Sequence, residues 1–277
     1  MRVTNRARIL RQLVIRRTSE YERRYAVAAM ALLVTHELTK EFAGFRAVDR
    51  VSLALDDGAI HALVGPNGAG KTTFFHMLTG FVRPTSGRIV AFGNDVTGLP
   101  AYRISRLGLA RSFQITSLFE RRTVIEHVVL ALHASDPVSL RFWAPESAVR
   151  RYRERAMEIL GEVGLAATAS RSAGSLPYGQ KRALELALAL ALDPRLLLLD
   201  EPTSGMGLED VGRTIELVRR VRQGRTVLLV EHNMGVVAEL ADRVIVMQQG
   251  RVIADGPYER VRHEPAVITA YLGQTDA

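Results

Sequence analysis

The stretch "GPNGAGKTT", residues 65 to 73, follows the apolar run "AIHALV" at 59 to 64 and decides how the rest of the chain reads. It fits G-x-x-x-x-G-K-[ST], with Gly65, Gly70, Lys71 and Thr72 in the fixed places and Pro66, Asn67, Gly68 and Ala69 between them. Residues without a Cβ let the backbone curl until several N–H groups point at one anion. The helix opening in "TTFFHMLTG", which Thr73 enters, adds its positive N-terminal end. In such a cradle Lys71 reaches the β- and γ-phosphates of a nucleotide, and the Thr72 hydroxyl completes a Mg²⁺ shell shared with phosphate oxygens and water. A purely structural turn needs one glycine, so the full pattern between strand and helix points to nucleotide binding.

The 277 residues, 47% of them hydrophobic, suffice for an ordinary packed core. No run of 18 apolar residues occurs, and "VAAMALLV" and "LELALALAL" are too short or interrupted to cross a bilayer. The absence of cysteine excludes disulfides and thiolate metal sites, which fits a reducing cytosol. Of the net charge of +8, six units lie in residues 1–29, where eight arginines face only Glu20 and Glu22. The remaining body is nearly neutral, which argues against a nucleic-acid footprint. Residues 1–29 are therefore read as an Arg-rich tail, disordered or dispensable, with Met30 as an alternative start. A targeting peptide is the rival reading, but the tail lacks a secretory apolar segment.

From residue 30 to 277 the pattern is that of one domain. Strands are expected in "LLVTHEL", "FRAVDRVSLALDDG", "AIHALV" and "GRIVAFGNDV", and helices through 116–175. There Val149, Tyr152, Ala156, Ile159 or Leu160, and Val163 form an apolar stripe, while Arg150, Arg151, Arg153 and Glu154 face away. "RLLLLD" (195–200) and "TVLLVEH" (226–232) read as buried parallel strands, and "RVIVMQQGRVIADG" as a hairpin turning at Gly250. Strands alternating with helices give a doubly wound α/β core, whose ligands sit at the carboxyl ends of the strands. The phosphate loop, Asp200 and His232 all fall there.

Asp200 at a strand end can hold Mg²⁺ through water. Glu201, on the alternate side of the strand, is left free to act on an attacking water. "SLPYGQKRALELALALALDP" places a second helix start, another anion site, just before that strand. Two phosphate-binding helix ends in one chain suggest that a partner chain supplies one of them to each nucleotide.

Together these motifs resemble the ATP-binding cassette of an ABC transporter, over roughly residues 32–273. The resemblance implies a P-loop NTPase (RecA-like) α/β core with an antiparallel β subdomain and a helical signature-motif subdomain at about 116–190. It makes Phe42 in "KEFAGF" the aromatic that stacks on adenine, residues 65–73 the Walker A loop and Gln114 in "RSFQ" the Q-loop residue near Mg²⁺. Leu176, Pro177, Tyr178, Gly179 and Gln180 become the signature motif, "LLLLDE" the Walker B segment with Glu201 as catalytic base, and His232 the switch histidine. "LARSFQITSLF", "DEPTSGMG", "EHNM" and "AYLG" narrow the resemblance to the larger of two ATPase subunits that power branched-chain amino acid uptake.

Two positions depart from the family pattern. Pro177 stands where a serine is usual, which removes a hydroxyl and an N–H from the γ-phosphate site across the dimer, a loss of about 1.5–3 kcal/mol if nothing replaces it. Gly207 stands where many cassettes have Asp or Asn. The implied protein hydrolyses ATP with Mg²⁺ at the cytoplasmic face of the inner membrane. It binds separate transmembrane permease subunits beside a second, non-identical cassette, serves a solute-binding protein indirectly and takes no nucleic acid. A soluble ABC ATPase of DNA or ribosomes is the rival reading, disfavoured by a neutral body, a single cassette and no long heptad insertion. A non-hydrolysing switch is disfavoured by Glu201 and His232.

Overall fold

The computed structural model describes residues 31–112, 118–136 and 146–272, without the side chains of 146–149 and 272. The tail, Gln114 and the Val149 side chain lie outside these residues. Two sheets organise the rest. Strands β1 (Ala31–Phe42), β2 (Phe45–Asp56), β4 (Ser86–Ala91) and β5 (Asn94–Asp95) form an antiparallel sheet in the order β2-β1-β4-β5. The second sheet has the order β10-β9-β3-β8-β7-β6. It is built from β3 (Ile60–Val64), β6 (Leu109–Arg111), β7 (Leu196–Asp200), β8 (Thr226–Val230), β9 (Arg243–Gln248) and β10 (Arg251–Gly256). All its pairings are parallel except β10 on β9.

The unbroken apolar runs of this second sheet follow from burial on both faces. Leu197 and Leu199 of β7 join Val227 and Leu229 of β8 in one core, and Leu196, Leu198, Leu228 and Val230 point into the other. The first core is closed by helices α3 (Val124–Ser135), α4 (Glu146–Glu162), α5 (Tyr178–Leu190), α6 (Leu208–Val221) and α7 (Met234–Leu240). The second is closed by the antiparallel sheet and by α1 (Lys71–Leu78), whose Phe74 and Phe75 are fully buried. The strands of this sheet are thus packed from both sides.

The α4 stripe matches expectation: Ala156, Ile159, Leu160 and Val163 are buried, and Arg150, Arg151, Arg153 and Glu154 exposed. A capping box starts α3, with Thr123 accepting from Glu126 N and the Glu126 carboxylate accepting from Thr123 N. The expected single strand in "GRIVAFGNDV" is instead the β4–β5 hairpin, because Phe92 and Gly93 adopt φ of 54° and 77° and reverse the chain. Short β6 and α2 (Ala101–Arg106) were not foreseen in the sequence. The hairpin at Gly250 is present, with Gln249 also left-handed. Two short helices, α8 (Tyr258–Val261) and α9 (Pro265–Leu272), follow it.

Candidate nucleotide site

β3 delivers the chain to the loop and α1 receives it. Gly65 and Gly70 have φ of 148° and 95°, and neither tolerates a side chain. A Cβ on Gly65 would run into the Met247 carbonyl of β9, and one on Gly70 into the Ala47 carbonyl of β2. The glycines therefore serve two needs: they curl the loop, and they let it pack against neighbouring backbone. Gly250 N donates to Ala69 O at 3.0 Å and Asp49 N to Gly250 O at 2.9 Å, which ties the loop to the β9–β10 turn and to β2. With Gly70 as its cap, α1 starts without any side-chain acceptor or acidic residue in its first turn, as an anion site requires.

Lys71 is 9% exposed, and its Nζ donates to the Gly65 and Pro66 carbonyls at 2.7 and 3.0 Å. Burial holds its pKa below the usual lysine range, against the opposing pull of Glu201 and then Asp200. Those carboxylates thus face it from the end of β7. Thr72 is exposed and Thr73 partly so. Among the described residues no cluster of three or more His, Cys, Asp or Glu could hold a metal ion. Thr72 and Asp200 offer two hard oxygen donors, which suits a Mg²⁺ that arrives with phosphate oxygens and waters of its own.

β7 ends at Asp200, so Glu201 is not a strand residue. Its φ is +46°, and this left-handed backbone, not strand alternation, sets its direction. Glu201 N donates to Val230 O at 2.9 Å, and its carboxylate stands 3.9 Å from His232 Nδ1, both side chains being about half exposed. A strained, accessible carboxylate beside a histidine is what a positioned general base looks like.

Glu231, quoted in "EHNM" for the resemblance, has no role assigned to it from the sequence. It is fully buried, and one carboxylate oxygen accepts from Thr203 N (3.1 Å) and Thr203 Oγ1 (2.6 Å). The other accepts from His232 N (3.1 Å) and Asn233 N (3.4 Å). Glu231 thus clamps the loop after Glu201 to the segment bearing His232. Glu231→Gln keeps the Thr203 end but turns an N–H donor toward two N–H groups. It should lower stability by about 1–3 kcal/mol and slow turnover more than it weakens nucleotide binding. Urea melts and steady-state kinetics check both; an unchanged rate would make the clamp purely structural.

Phe42 ends β1 opposite Phe45, 46% exposed, with Lys40 Nζ 4.8 Å from its ring centre. β2 runs back from there to bring Ala47 against Gly70, so the ring belongs to a hairpin rooted in the cradle. Residues 176–180 head α5, with Leu176 buried and Pro177 as its cap. Tyr178 donates its hydroxyl to Ser204 O at 3.1 Å, and Gly179 abuts Asp210. Tyr271 of α9, which enters the sequence reading only as part of "AYLG", has its hydroxyl buried near the Gly65 amide, and burial raises its pKa.

Two turns into α5, Glu185 is 3% exposed, with Arg182 at 3.2 Å and one carboxylate oxygen without a partner among the described residues. It borders a cavity of about 30 Å³ shared with Ser112, Leu199, Pro202 and Thr214. Burial pushes its carboxyl up to about 7, against the pull of Arg182. A raised pKa means that its stabilising contribution is complete below the unfolded value near 4.5 and is lost as pH rises through about 7. Glu185→Gln should therefore match the parent at acid pH and exceed it above pH 8, by up to about 3 kcal/mol. Denaturant melts at several pH values would show the gap opening; a constant difference would refute the burial effect.

Comparison with known proteins agrees with this geometry. The family model described as ABC transporter matches residues 48–204, and that described as Branched-chain amino acid ATP-binding cassette transporter matches 251–277. The chain is 40% identical over 252 residues to the high-affinity branched-chain amino acid transport ATP-binding protein BraF of Pseudomonas aeruginosa, covering 88% of this chain and 98% of that one. It is 39% identical over 250 residues to the corresponding protein LivG of Escherichia coli K12, with the same coverage. A solved ATP-binding cassette of an ABC transporter in its ADP conformation superposes with a TM-score of 0.78 at 30% identity, covering 88% of this chain and 99% of that one. These relatives are transport subunits, matched over nearly their whole length, and the rival reading as an ATPase of DNA or ribosomes gives way to theirs. The chain belongs to the ABC transporter family and is one of its ATP-binding, ATP-hydrolysing subunits.

Proposed function

We propose that this subunit powers import of branched-chain amino acids or a related small polar solute. The observation that carries the catalytic part is the convergence of Lys71, Asp200, Glu201 and His232 at the carboxyl ends of neighbouring strands β3, β7 and β8. Residues 65–73 hold the phosphates through backbone N–H groups and Lys71, and Phe42 offers its face to adenine. Thr72, Asp200 and Gln114 serve Mg²⁺, which neutralises phosphate charge when bound. Glu201 takes a proton from the attacking water, with His232 beside it. Residues 176–180 act on the nucleotide of a facing cassette, a second and non-identical subunit. The solute assignment draws support from the names of the relatives and from the match at 251–277.

Among the described residues no helix is long and apolar enough to cross a membrane. Transport then needs separate permease subunits, and the helical layer offers them a surface. An open groove of about 500 Å³ is lined by Phe119, Ile125, Val129, Leu130 and His133. Phe119 and Leu130 are each more than half exposed there, an apolar patch of the kind that marks a contact site. In this reading the subunit sits peripherally on the cytoplasmic face of the inner membrane and meets the solute-binding protein only through the permease.

Reconstitution with permease, second cassette and binding protein in proteoliposomes tests the reading. Leucine uptake that requires ATP on the cassette side is expected. Turnover that no branched-chain amino acid stimulates would overturn the solute assignment, and assembly without a second cassette would overturn the heterodimer.

A further inference from the structure

Arg111 takes no part in the chemistry above. It ends β6, the edge strand, opposite Leu198 of β7. Its Nη2 donates to Asp200 Oδ2 at 2.7 Å, and the two side chains are only 14% and 12% exposed. The contact is single, not a bidentate fork: Arg111 Nε is buried and finds no acceptor among the described residues. The cation is otherwise held by ring faces, 4.9 Å from the centre of Phe75 and 5.7 Å from that of Phe81. Phe75 belongs to α1 and Phe81 follows it, so the guanidinium is wedged between the helix of the phosphate loop and the carboxylate at the end of β7. Lys71 feels Asp200, and His76 of α1 feels both members of this pair. Its imidazole is held below the usual range first by burial and then by Arg111, while Asp200 pulls the other way.

Two cations therefore have a claim on one carboxylate. We propose that Arg111 is the counter-cation of Asp200, a positioning residue that competes with the divalent metal and keeps it from binding until a nucleotide brings its phosphates. This rests on the reading that Asp200 serves the metal. With Arg111 in place, Asp200 is already neutralised and a free metal ion gains little from it. Phosphate charge from a bound nucleotide shifts the balance, so metal and nucleotide enter together. Without Arg111 the same carboxylate is buried and unpaired, which destabilises the metal-free protein and makes the site attractive to a bare cation.

The test uses the full chain and Mn²⁺ as the probe, titrated by electron paramagnetic resonance with and without a non-hydrolysable ATP analogue. Arg111→Met keeps the packing against Phe75 and Phe81 and removes the charge. It should bind Mn²⁺ without nucleotide at least ~3-fold more tightly than the parent, since even a screened unit charge within about 6 Å weighs on a divalent ion. It should also melt lower without metal and recover part of the loss with Mn²⁺, whereas Arg111→Lys stays near the parent in metal affinity. Arg111→Gln, uncharged but able to hydrogen-bond, reads the same quantity if the Met variant does not fold. Mn²⁺ binding that is unchanged or weaker in the folded neutral variants overturns the proposal. Asp200→Asn separates the two readings. If it leaves Mn²⁺ binding at parental strength, Asp200 does not serve the metal and both fall. If it weakens binding while the Arg111 variants fail to tighten it, only the competition falls.

Discussion

Glu201→Gln is expected to slow ATP hydrolysis by ~10²–10⁴-fold while leaving nucleotide affinity in place, the loss usual for a positioned general base. The amide has nearly the shape of the carboxylate and the same left-handed backbone to occupy, so Asp200, Lys71 and the loop should stay where they are. What is lost is the group that accepts a proton from water. Removing a negative charge that faces Lys71 also favours the nucleotide-bound pair of cassettes. A dimer that persists with ATP and dissociates with ADP should therefore accumulate, visible by size exclusion beside a phosphate-release assay. Hydrolysis near the parental rate would remove Glu201 from the role of base and turn attention to His232, 3.9 Å away.

Lys71→Ala should abolish tight nucleotide binding. The Nζ that now donates to the Gly65 and Pro66 carbonyls is placed to turn to phosphate oxygens. Two charge-assisted hydrogen bonds at about 1.5–3 kcal/mol each correspond to a loss of ~100-fold or more in Kd. The loop itself should survive, because its shape is fixed by backbone contacts to Met247, Ala47 and Gly250 and not by the lysine. Calorimetric titration of a variant shown by circular dichroism to be folded decides it; parental affinity would mean that the loop has a structural task only.

The parts of this molecule that could be read in the sequence are those in which neighbours along the chain share one environment. "RLLLLD" and "TVLLVEH" are apolar on both sides because both sheet faces are covered, and a strand is legible there without tertiary knowledge. Residues 65–73 were legible because a phosphate cradle is built from consecutive backbone. Contacts between distant residues left no local trace. Arg111 and Asp200 are 89 positions apart, and Thr203 and Glu231 are 28. Nothing in "LLLLDEPT" says that its glutamate takes φ of +46°, since that value arises where the chain leaves β7 and bonds back to Val230. β6 has only three residues and α2 six, too few for a period to show. Gln114 falls outside the described residues, and its role rests on the motif alone.

Pro177 and Gly207 are the two positions at which this chain departs from the family pattern. Tyr178 stands beside the first of them. Its hydroxyl joins the head of α5 to the carbonyl of Ser204, three residues beyond Glu201. That bond links the turn proposed to act on a neighbour's nucleotide to the loop that follows Glu201, the proposed base. Free energy passes through such a joint equally in both directions: whatever the neighbour's ATP does to the placement of Glu201, a ligand near Glu201 must do to the grip on the neighbour's ATP. Nucleotide binding at the two sites would then be coupled reciprocally, with Tyr178, next to the proline that replaces the usual serine, as the joint.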